Sequence, residues 1–410
     1  MSVKEGDSFK GRIAFIIHHY SLDRSPTILN SAAILAENGY QVDIILAYET
    51  HRGIAREGEG VSITWVSHRP VGRLHRRWQA RLYALLGLMS FVARLVAATR
   101  GRHYSFFIGV NPYGLMAATI LGRLLRIPVT YLNLELTTLS ANKRSLSHWF
   151  ESWCNQQAVF TIVQDKERAK VVVEDNRIRT DSVVLVPCGA RGPANPQKTD
   201  YLRRRFKLDS NTRIVLYAGG ISNEEFRTLD LARSAVRALP EDWTLVIHGW
   251  SSDSGEMQEL RELAAHGRII VSTDIVPYDE LDQLLRSADI GVALYRNLGP
   301  NQYLIGSASQ KLAHYLKCGL PVITSDFPSL RSVVDNYRCG VCISERLTPQ
   351  EISAAIDEIV SNYDDYVQRA IRCFSERYDF DCAFSPVIDR ITSLLGTEAH
   401  AQGQHRHTIL

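Results

Sequence analysis

The chain has 410 residues, which is more than one ordinary hydrophobic core accommodates, so we expect two domains. Hydrophobic residues at 45% and charged residues at 22% are typical of a soluble globular protein. The formal charge of +3 is too small to indicate that the whole chain binds nucleic acid. No uncharged apolar run reaches the ~18 residues that a membrane-spanning helix needs.

The seven cysteines do not have the spacing of a metal site. Cys339 and Cys342 form one CxxC pair without a second pair, so we expect free thiols in a reducing cytoplasm rather than bound zinc. The segment MSVKEGDSFKGRIAFIIHHY lacks the long apolar core of a signal peptide. The end of the chain, HAQGQHRHTIL, is typical of a solvated tail, and we predict disorder over residues 397–410.

The first half of the chain alternates strand and helix patterns. Near-continuous apolar runs, as in parallel strands covered on both faces, lie at 12–20, 41–48, 61–67, 106–110, 129–135, 160–164 and 182–188. Helical patterns separate them at 27–39, 76–99, 113–125, 145–157 and 166–174. This order predicts a doubly wound α/β domain over residues 1–192.

The segment 189–201, rich in glycine, proline and polar residues, is predicted to link two domains, because the βα pattern restarts after it. Strands are predicted at 213–220, 244–250, 269–276, 290–295, 321–326 and 340–344. Helices are predicted at 225–239, 255–266, 278–287, 307–318, 328–336 and 349–361. We therefore expect a second Rossmann-like domain over 193–374. Ligands of such sheets bind beyond the carboxyl ends of the strands, which predicts a cleft between the two domains.

The stretch GSASQKLAHYLKCGLPVITSD combines a helix start with a cation. A helix beginning near Ser307 would direct unpaired N–H groups outward, and Ser307 and Ser309 can cap it or donate to phosphate oxygens. Lys311 adds a positive charge of the kind that binds phosphate. An ordinary capped helix with a solvated Lys311 is the alternative.

The pattern SxKLxxYLxxGLPVI, followed by Asp326, Pro328 and GVCI, resembles the C-terminal signature of glycosyltransferases with two Rossmann-like domains, the GT-B architecture. LYAGGISNEEFRTLDLARSAVRAL resembles the glycine-rich turn and phosphate-facing helix of these enzymes. YDFDCAFSPVIDRI resembles their final helix, which crosses back to the N-terminal domain and is expected here at 375–396. The resemblance covers residues 10–395 and is most specific at 213–343. It implies a nucleotide-sugar donor held in the C-terminal domain.

The chain departs from one pattern of these enzymes, the Glu-x7-Glu pair of many retaining members of the family 4-like group. Gly306 and His314 stand at the two positions. The layout resembles the xanthan-type glucuronosyltransferase group more closely. That resemblance implies that Lys311 binds the diphosphate of UDP and that His314 contacts a ribose or phosphate oxygen. It also implies that Ile275 or Val276 lines the base pocket and that Tyr295 flanks the donor. A plain histidine on the helix surface is the alternative for His314.

Gly219 and Gly220 follow a strand, and glycine allows a backbone to approach a diphosphate closely. A tight turn without a ligand is the alternative. Arg227, on the next helix, stands where relatives place a base that neutralises phosphate. An exposed helix arginine is equally consistent with its position.

The N-terminal domain supplies the predicted acceptor residues. The loop HHYSLDRSP follows the first strand, which in relatives lines the acceptor site, and His18 and Asp23 are its catalytic candidates, with His19 and Arg24 nearby. Glu135 is the candidate general base, because an acidic side chain at a strand's carboxyl end can deprotonate a hydroxyl. Capping or a salt bridge is its alternative role.

Two further residues, Asn111 and Tyr113, lie at another strand end where they can contact donor or acceptor. Residues 69–98 begin with clustered arginines and continue with a short apolar stretch, Leu82–Ala93. This pattern suits either peripheral contact with an anionic membrane or a core helix with a solvated basic front.

We therefore expect a glycosyltransferase that moves a hexosyl-type sugar from a UDP-sugar to a glycan or polyprenyl-linked glycan in cell-surface polysaccharide or glycoconjugate synthesis. The expected location is the cytoplasm, with the inner face of the cell membrane as an open alternative. No DxD-like pair stands at the donor site, so we expect no metal cofactor and a cationic pocket instead. A nucleotide-sugar epimerase of the same fold and a non-catalytic partner subunit are the alternatives. The pattern favours neither retention nor inversion.

Overall fold

The computed structural model describes residues 9–18, 22, 25–47, 58–66, 77–136, 146–265, 267–277 and 280–406, except for the side chains of 77–85 and 397–406. Asp23, a predicted catalytic residue, lies outside the described residues, as do His19 and Arg24. The front of the basic segment, residues 67–76, also lies outside them.

The chain divides into two compact units. Unit 1 comprises Met1–Val186 and Asp381–Leu410, and unit 2 comprises Pro187–Phe380. The predicted divisions, 192/193 and 374/375, lie a few residues from these.

Unit 1 contains a seven-stranded parallel sheet in the order β3-β2-β1-β4-β5-β6-β7. Its strands are β1 (Gly11–Ile17), β2 (Tyr40–Leu46), β3 (Val61–Trp65), β4 (Phe106–Val110), β5 (Val129–Leu132), β6 (Thr161–Val163) and β7 (Val183–Leu185). Its helices are α1 (Pro26–Glu37), α2 (Arg77–Thr99), α3 (Asn111–Leu125), α4 (Leu146–Gln157) and α5 (Lys166–Asn176). The order reverses between β1 and β4, so these two strands form the topological switch point.

Unit 2 contains a six-stranded parallel sheet in the order β10-β9-β8-β11-β12-β13. Its strands are β8 (Arg213–Gly220), β9 (Trp243–Trp250), β10 (Ile269–Ser272), β11 (Ile290–Ala293), β12 (Val322–Ser325) and β13 (Gly340–Ile343). Its helices are α6 (Tyr201–Phe206), α7 (Asn223–Phe226), α8 (Thr228–Ala238), α9 (Ser254–Ala264), α10 (Leu281–Arg286), α11 (Pro300–Tyr303), α12 (Gln310–Lys317), α13 (Pro328–Tyr337), α14 (Pro349–Ser361) and α15 (Tyr363–Cys373). The switch point lies between β8 and β11. The predicted fold class, two Rossmann-like α/β domains, is confirmed.

Alternation along β8 builds the two faces of the unit 2 core. Leu216 packs in one hydrophobic cluster with Leu312 of α12, whereas Val215 and Tyr217 pack in the cluster on the opposite face. Because both faces of the sheet are covered, the sequence of β8 is continuously apolar instead of alternating between apolar and polar residues. The continuous buried run of β1 has the same cause.

The final helix, α16 (Phe380–Arg406), packs in unit 1. Tyr40 and Thr392 are joined through their hydroxyls at 3.0 Å, and the Arg390 guanidinium lies 5.6 Å from the centre of the Phe160 ring. The helix continues through residues 397–406, where we had predicted a disordered tail. Alanine, glutamate and glutamine are good helix formers, and no proline interrupts them there.

Two other predictions differ from the structure. The predicted linker 189–201 packs on unit 2, where Asn195 N–H donates to the Lys317 carbonyl at 2.8 Å. The predicted helix 307–318 is a 3₁₀ turn at Gly306–Ala308 followed by α12, because Ser309 adopts an extended conformation between them. Ser309, not Ser307, is therefore the residue at the helix start.

Candidate active site

The carboxyl end of β8 and the end of β11 lie side by side at the switch point of unit 2. The α12 helix begins beside them. Ser309 caps this helix by accepting a hydrogen bond from Leu312 N–H at 3.1 Å, and its hydroxyl also bonds that of Tyr295. The N-terminus of α12 thus places the partial positive charge of a helix dipole where ligands of such sheets bind.

Lys311 occupies the centre of this region. Its ammonium donates to the Tyr217 hydroxyl at 3.0 Å and lies 3.8 Å from the ring centre of Phe226 and 4.9 Å from that of Tyr295. Burial lowers the pKa of Lys311 to about 7, although the Glu225 carboxylate acts in the opposite direction. The lysine is half-buried among aromatic rings rather than solvated on the helix surface.

Gly219 makes room for this lysine. A Cβ atom at position 219 would lie 3.0 Å from Lys311 Cδ, and the φ angle of +147° disfavours any side chain there. A Cβ at Gly249, on the adjacent strand, would lie 1.8 Å from the Gly219 carbonyl oxygen. The glycine turn therefore lets Lys311 pass the end of β8 and reach Tyr217.

Arg227 is held by an ion-pair cluster. Its Nε donates to Asp230 Oδ2 at 3.2 Å, and Arg296 donates to the same oxygen at 2.9 Å. The Arg296 N–H also donates to the Glu225 carbonyl at 2.9 Å, which ties the loop after β11 to helix α7. Arg227 is buried, so it is not the exposed helix arginine of the alternative interpretation.

His314, one turn after Lys311 on α12, lies next to helix α10. Its Nδ1 is 3.9 Å from Asp282 Oδ1, and Lys317 Nζ is 2.6 Å from Asp282 Oδ2. Burial opposes ionisation of Asp282, but His314 and Lys317 outweigh it and lower the pKa of the carboxyl to about 2. His314 is buried, with 6% of its surface exposed, which rules out a plain surface histidine.

Gly306 explains why the first glutamate of the family pattern is missing. A Cβ at this position would lie 2.4 Å from the Ser329 carbonyl oxygen, so the start of α13 fills the space. The neighbouring Ser307 is buried, and its Oγ accepts from Arg377 at 2.9 Å. A carboxylate at 306 would require this packing to change.

The two predicted base-pocket residues behave differently. Ile275 is 75% exposed in the loop after β10, whereas Val276 packs against the core. Trp250, at the carboxyl end of β9, is a second exposed apolar side chain on this edge, which the sequence interpretation missed. A hydrogen bond of 2.9 Å between His248 Nδ1 and Ser272 Oγ links β9 to the end of β10. Burial lowers the pKa of this histidine.

In unit 1, His18 follows β1 at the switch point. Its buried ring lies 5.0 Å from that of Phe91 and 5.4 Å from that of Tyr113. A Cβ at Gly114 would lie 2.3 Å from the Ile16 carbonyl oxygen, so α3 starts in direct contact with β1. The structure thus brings His18 and Tyr113 together.

Asn111 connects this switch point to Glu135. Its Oδ1 accepts hydrogen bonds from Leu134 N–H at 3.0 Å and from Glu135 N–H at 3.2 Å. Asn111 has a φ of +55°, a left-handed conformation that asparagine tolerates better than most residues. Glu135 itself is exposed.

The remaining predictions concern metals, thiols and the membrane. Within the part of the chain that is described, no group of three His, Cys, Asp or Glu residues has the arrangement of a metal site. All seven cysteines are free thiols. Of the described helices, none is both long and apolar enough to cross a bilayer.

Two protein families match the chain in succession. Residues 25–189 match the glycosyl transferase 4-like domain, and residues 198–372 match the group 1 glycosyl transferases. The chain is a glycosyltransferase of the GT-B architecture. No curated protein sequence matches this glycosyltransferase.

Solved structures share its fold. HepE from Anabaena, crystallised with UDP, has a TM-score of 0.69 at 14% identity, over 93% of this chain and 100% of HepE. The same protein crystallised with UDP-glucose has a TM-score of 0.66 at 13% identity, over 93% of this chain and 100% of its own. Sucrose-phosphate synthase from Thermosynechococcus elongatus has a TM-score of 0.70 at 15% identity, over 94% and 100% of the two chains. These matches establish the fold and leave the xanthan-type subgroup a prediction.

Proposed function

We propose that this glycosyltransferase transfers a hexosyl-type sugar from a UDP-sugar to a hydroxyl group of a glycan or polyprenyl-linked glycan. The observation that carries the proposal is the half-buried Lys311 beside the Gly219 turn and the start of α12. A cation and the positive end of a helix that meet at a switch point suit a diphosphate. The UDP and UDP-glucose complexes of HepE support UDP as the nucleotide.

In this proposal the leaving diphosphate is stabilised by protein charges. Lys311 and the helix start would offset the negative charge that develops as the glycosidic bond breaks, which is usually the largest catalytic contribution. We propose that no metal ion is required. Activity should therefore survive EDTA treatment unchanged, and a loss restored by Mg²⁺ or Mn²⁺ would refute this part.

The acceptor is proposed to bind at the carboxyl ends of the strands of unit 1. Glu135 would take the proton of the acceptor hydroxyl, with Asn111 holding the backbone beside it. His18 lies at the adjacent strand end and is proposed to contact the acceptor.

We also propose a peripheral contact with anionic membranes, through which a lipid-linked acceptor would be reached in cell-surface polysaccharide or glycoconjugate synthesis at the inner face of the cell membrane. Helix α3 packs between α2 and α4. The outer faces of the flanking helices expose large apolar side chains, namely Leu86, Met89, Val96, Leu146 and Trp149.

Charge supports this contact. Between Glu59 and Glu135 the sequence contains no acidic residue, and its cations are Arg69, Arg73, Arg76, Arg77, Arg81, Arg94, Arg100, Arg102, Arg123 and Arg126. Each arginine near an anionic bilayer contributes about 1 kcal/mol. Arg102 is ion-paired with Asp43, which lies outside this segment, so the segment itself carries only positive charge. Exposed apolar groups beside an excess of cations suit a lipid surface better than they suit water.

Vesicle sedimentation tests the membrane contact. Val96→Glu should weaken binding to phosphatidylglycerol vesicles about tenfold and have little effect on neutral vesicles, because it places a negative charge among the arginines. Leu185→Glu, an exposed apolar position on β7, is the matched control. Equal binding to neutral vesicles, or tighter binding to duplex DNA than to any vesicle, would refute an anionic lipid partner.

Calorimetry with UDP and a panel of UDP-sugars tests the donor assignment. We expect binding, and about 10- to 100-fold weaker binding by Lys311→Met, because a hydrogen bond to a charged group contributes about 1.5–3 kcal/mol. Lys170→Met, an exposed lysine of α5, is the control. Absence of nucleotide binding would point to the non-catalytic partner role, whereas conversion of the UDP-sugar into its isomer without an acceptor would point to an epimerase.

A further inference from the structure

The Lys311 ammonium is enclosed by three aromatic rings. The ring centres of Phe226, Tyr217 and Tyr295 lie 3.8, 4.6 and 4.9 Å from Nζ. Distances under about 6 Å allow attraction between a cation and the face of a ring, but the rings also exclude water from the charge. We call these three residues the aromatic cage.

Phe226, the last residue of the short helix α7, is held in place by its neighbours. Its N–H donates to the Ser222 carbonyl at 2.8 Å, and its ring lies edge-on to Tyr295 at 6.0 Å. A Cβ at Gly220 would lie 3.2 Å from Phe226 Cε2, so the ring rests directly on the glycine turn. The ring is thus held between the turn, Tyr295 and the lysine.

The charged and titratable groups around Lys311 come from each neighbouring element. Burial raises the pKa of Tyr217, Tyr295 and Tyr315 well above their ordinary values, so these phenols stay neutral near pH 7. Glu225 on α7 is the acidic residue that acts on Lys311, and its effect is smaller than that of burial. Around α7, Arg227 and Arg296 are paired with Asp230.

We propose that Phe226 is a positioning residue for Lys311, and that enclosure by the aromatic cage makes donor binding take up a proton from solvent onto Lys311 Nζ. The inference rests on the proposed function, because it takes a nucleotide diphosphate as the ligand at Lys311. The diphosphate supplies the negative charge that the cage lacks. The ligand therefore favours the protonated lysine more strongly than the free enzyme does.

The direction of the pH dependence follows from the free enzyme. With a pKa of about 7, Lys311 is mostly charged below neutral pH and mostly neutral above it. Binding that requires the ammonium is then strongest below pH 7. Above pH 7 the affinity should fall about tenfold per pH unit until the pKa of the bound state is reached.

Calorimetric titration with UDP-glucose between pH 6 and about pH 9 tests this proposal, because its diphosphate has no proton left to lose in this range. We expect the wild-type affinity to fall above neutral pH, with uptake of about one proton at pH 8 measured in two buffers of different ionisation enthalpy. Phe226→Leu keeps an apolar group on Gly220 but admits water to Nζ. The fall in affinity should then begin about one pH unit higher.

The outcomes separate the two proposals. No UDP-glucose binding at any pH would refute the proposed function. Binding with the same affinity from pH 6 to pH 9, without proton uptake, would refute the coupling alone. A uniform loss of affinity at every pH in Phe226→Leu would make Phe226 merely structural, and Lys311→Arg should abolish the pH dependence because guanidinium stays charged.

Discussion

The two parallel sheets carry different chemistry at the same topological position. At the β8/β11 switch point of unit 2, a lysine, a glycine turn and a helix start provide positive charge with little side-chain bulk. At the β1/β4 switch point of unit 1, a histidine packs between aromatic rings, and an exposed glutamate follows the next strand. One architecture thus places a lysine at the strand ends of one unit and an exposed carboxylate at those of the other, which suits the donor-binding and acceptor-activating roles proposed above.

The largest expected effect comes from removing the proposed base. Glu135→Gln should lower the rate of sugar transfer about 100- to 10,000-fold, because general base catalysis contributes on that scale. UDP-glucose affinity should not change, since the substitution lies in unit 1. Transfer of labelled sugar to acceptor in lipid-linked extracts measures the rate. Glu167→Gln, an exposed acid of α5, is the control, and an unaltered rate in Glu135→Gln would place the base elsewhere.

A smaller effect is expected from narrowing the glycine turn. Gly219→Ala should weaken UDP-glucose binding about 10- to 100-fold, because its Cβ meets Lys311 Cδ and its backbone strain costs about 1–3 kcal/mol. Gly192→Ala is the control for backbone strain alone, since Gly192 also has a positive φ (+79°) but nothing lies within 4 Å of an added Cβ. If both variants weaken binding equally, the contact with Lys311 is not responsible.

The smallest effect should come from loosening the unit 1 edge. Asn111→Gly keeps the left-handed backbone but removes the acceptor of two N–H groups, each worth about 1 kcal/mol. The transfer rate should fall about tenfold while UDP-glucose affinity stays constant. Asn111→Asp keeps an acceptor oxygen and should restore most of the rate. Loss of UDP-glucose affinity in Asn111→Gly would contradict the assignment of donor binding to unit 2 and acceptor activation to unit 1.

Much of the fold was predictable because local patterns encode it. Buried parallel strands give continuous apolar runs, so all thirteen strands were located, with boundaries that differ by a few residues. Helix α15 was missed because it follows α14 with hardly any break, and the pattern offered no separate start. The tail was expected to be disordered from its polar composition, but its helix formers continue α16.

The candidate site was predictable only in part. The motif predicted a helix start near Ser307 with Lys311 one turn in, whereas the structure starts the helix after Ser309 and brings Lys311 to Gly219. Phe226 and Tyr217 were not recognised as neighbours of Lys311, because no local spacing connects them to it. Asn111 was named as a strand-end residue, yet its role in holding the Glu135 backbone depends on a contact between β4 and β5.

The sequence by itself determined two Rossmann-like sheets and the membership in the glycosyltransferases. It also determined that a lysine, Lys311, follows the two serines that precede α12. Those features depend on periodicity and short motifs, which are properties of neighbouring residues. Only the tertiary structure decided that Lys311 is enclosed by aromatic rings, that His314 faces Asp282 and that Ser329 fills the space at Gly306. Each of these depends on side chains far apart in the chain, whose burial and charge interactions exist only once the sheet and helices have packed together.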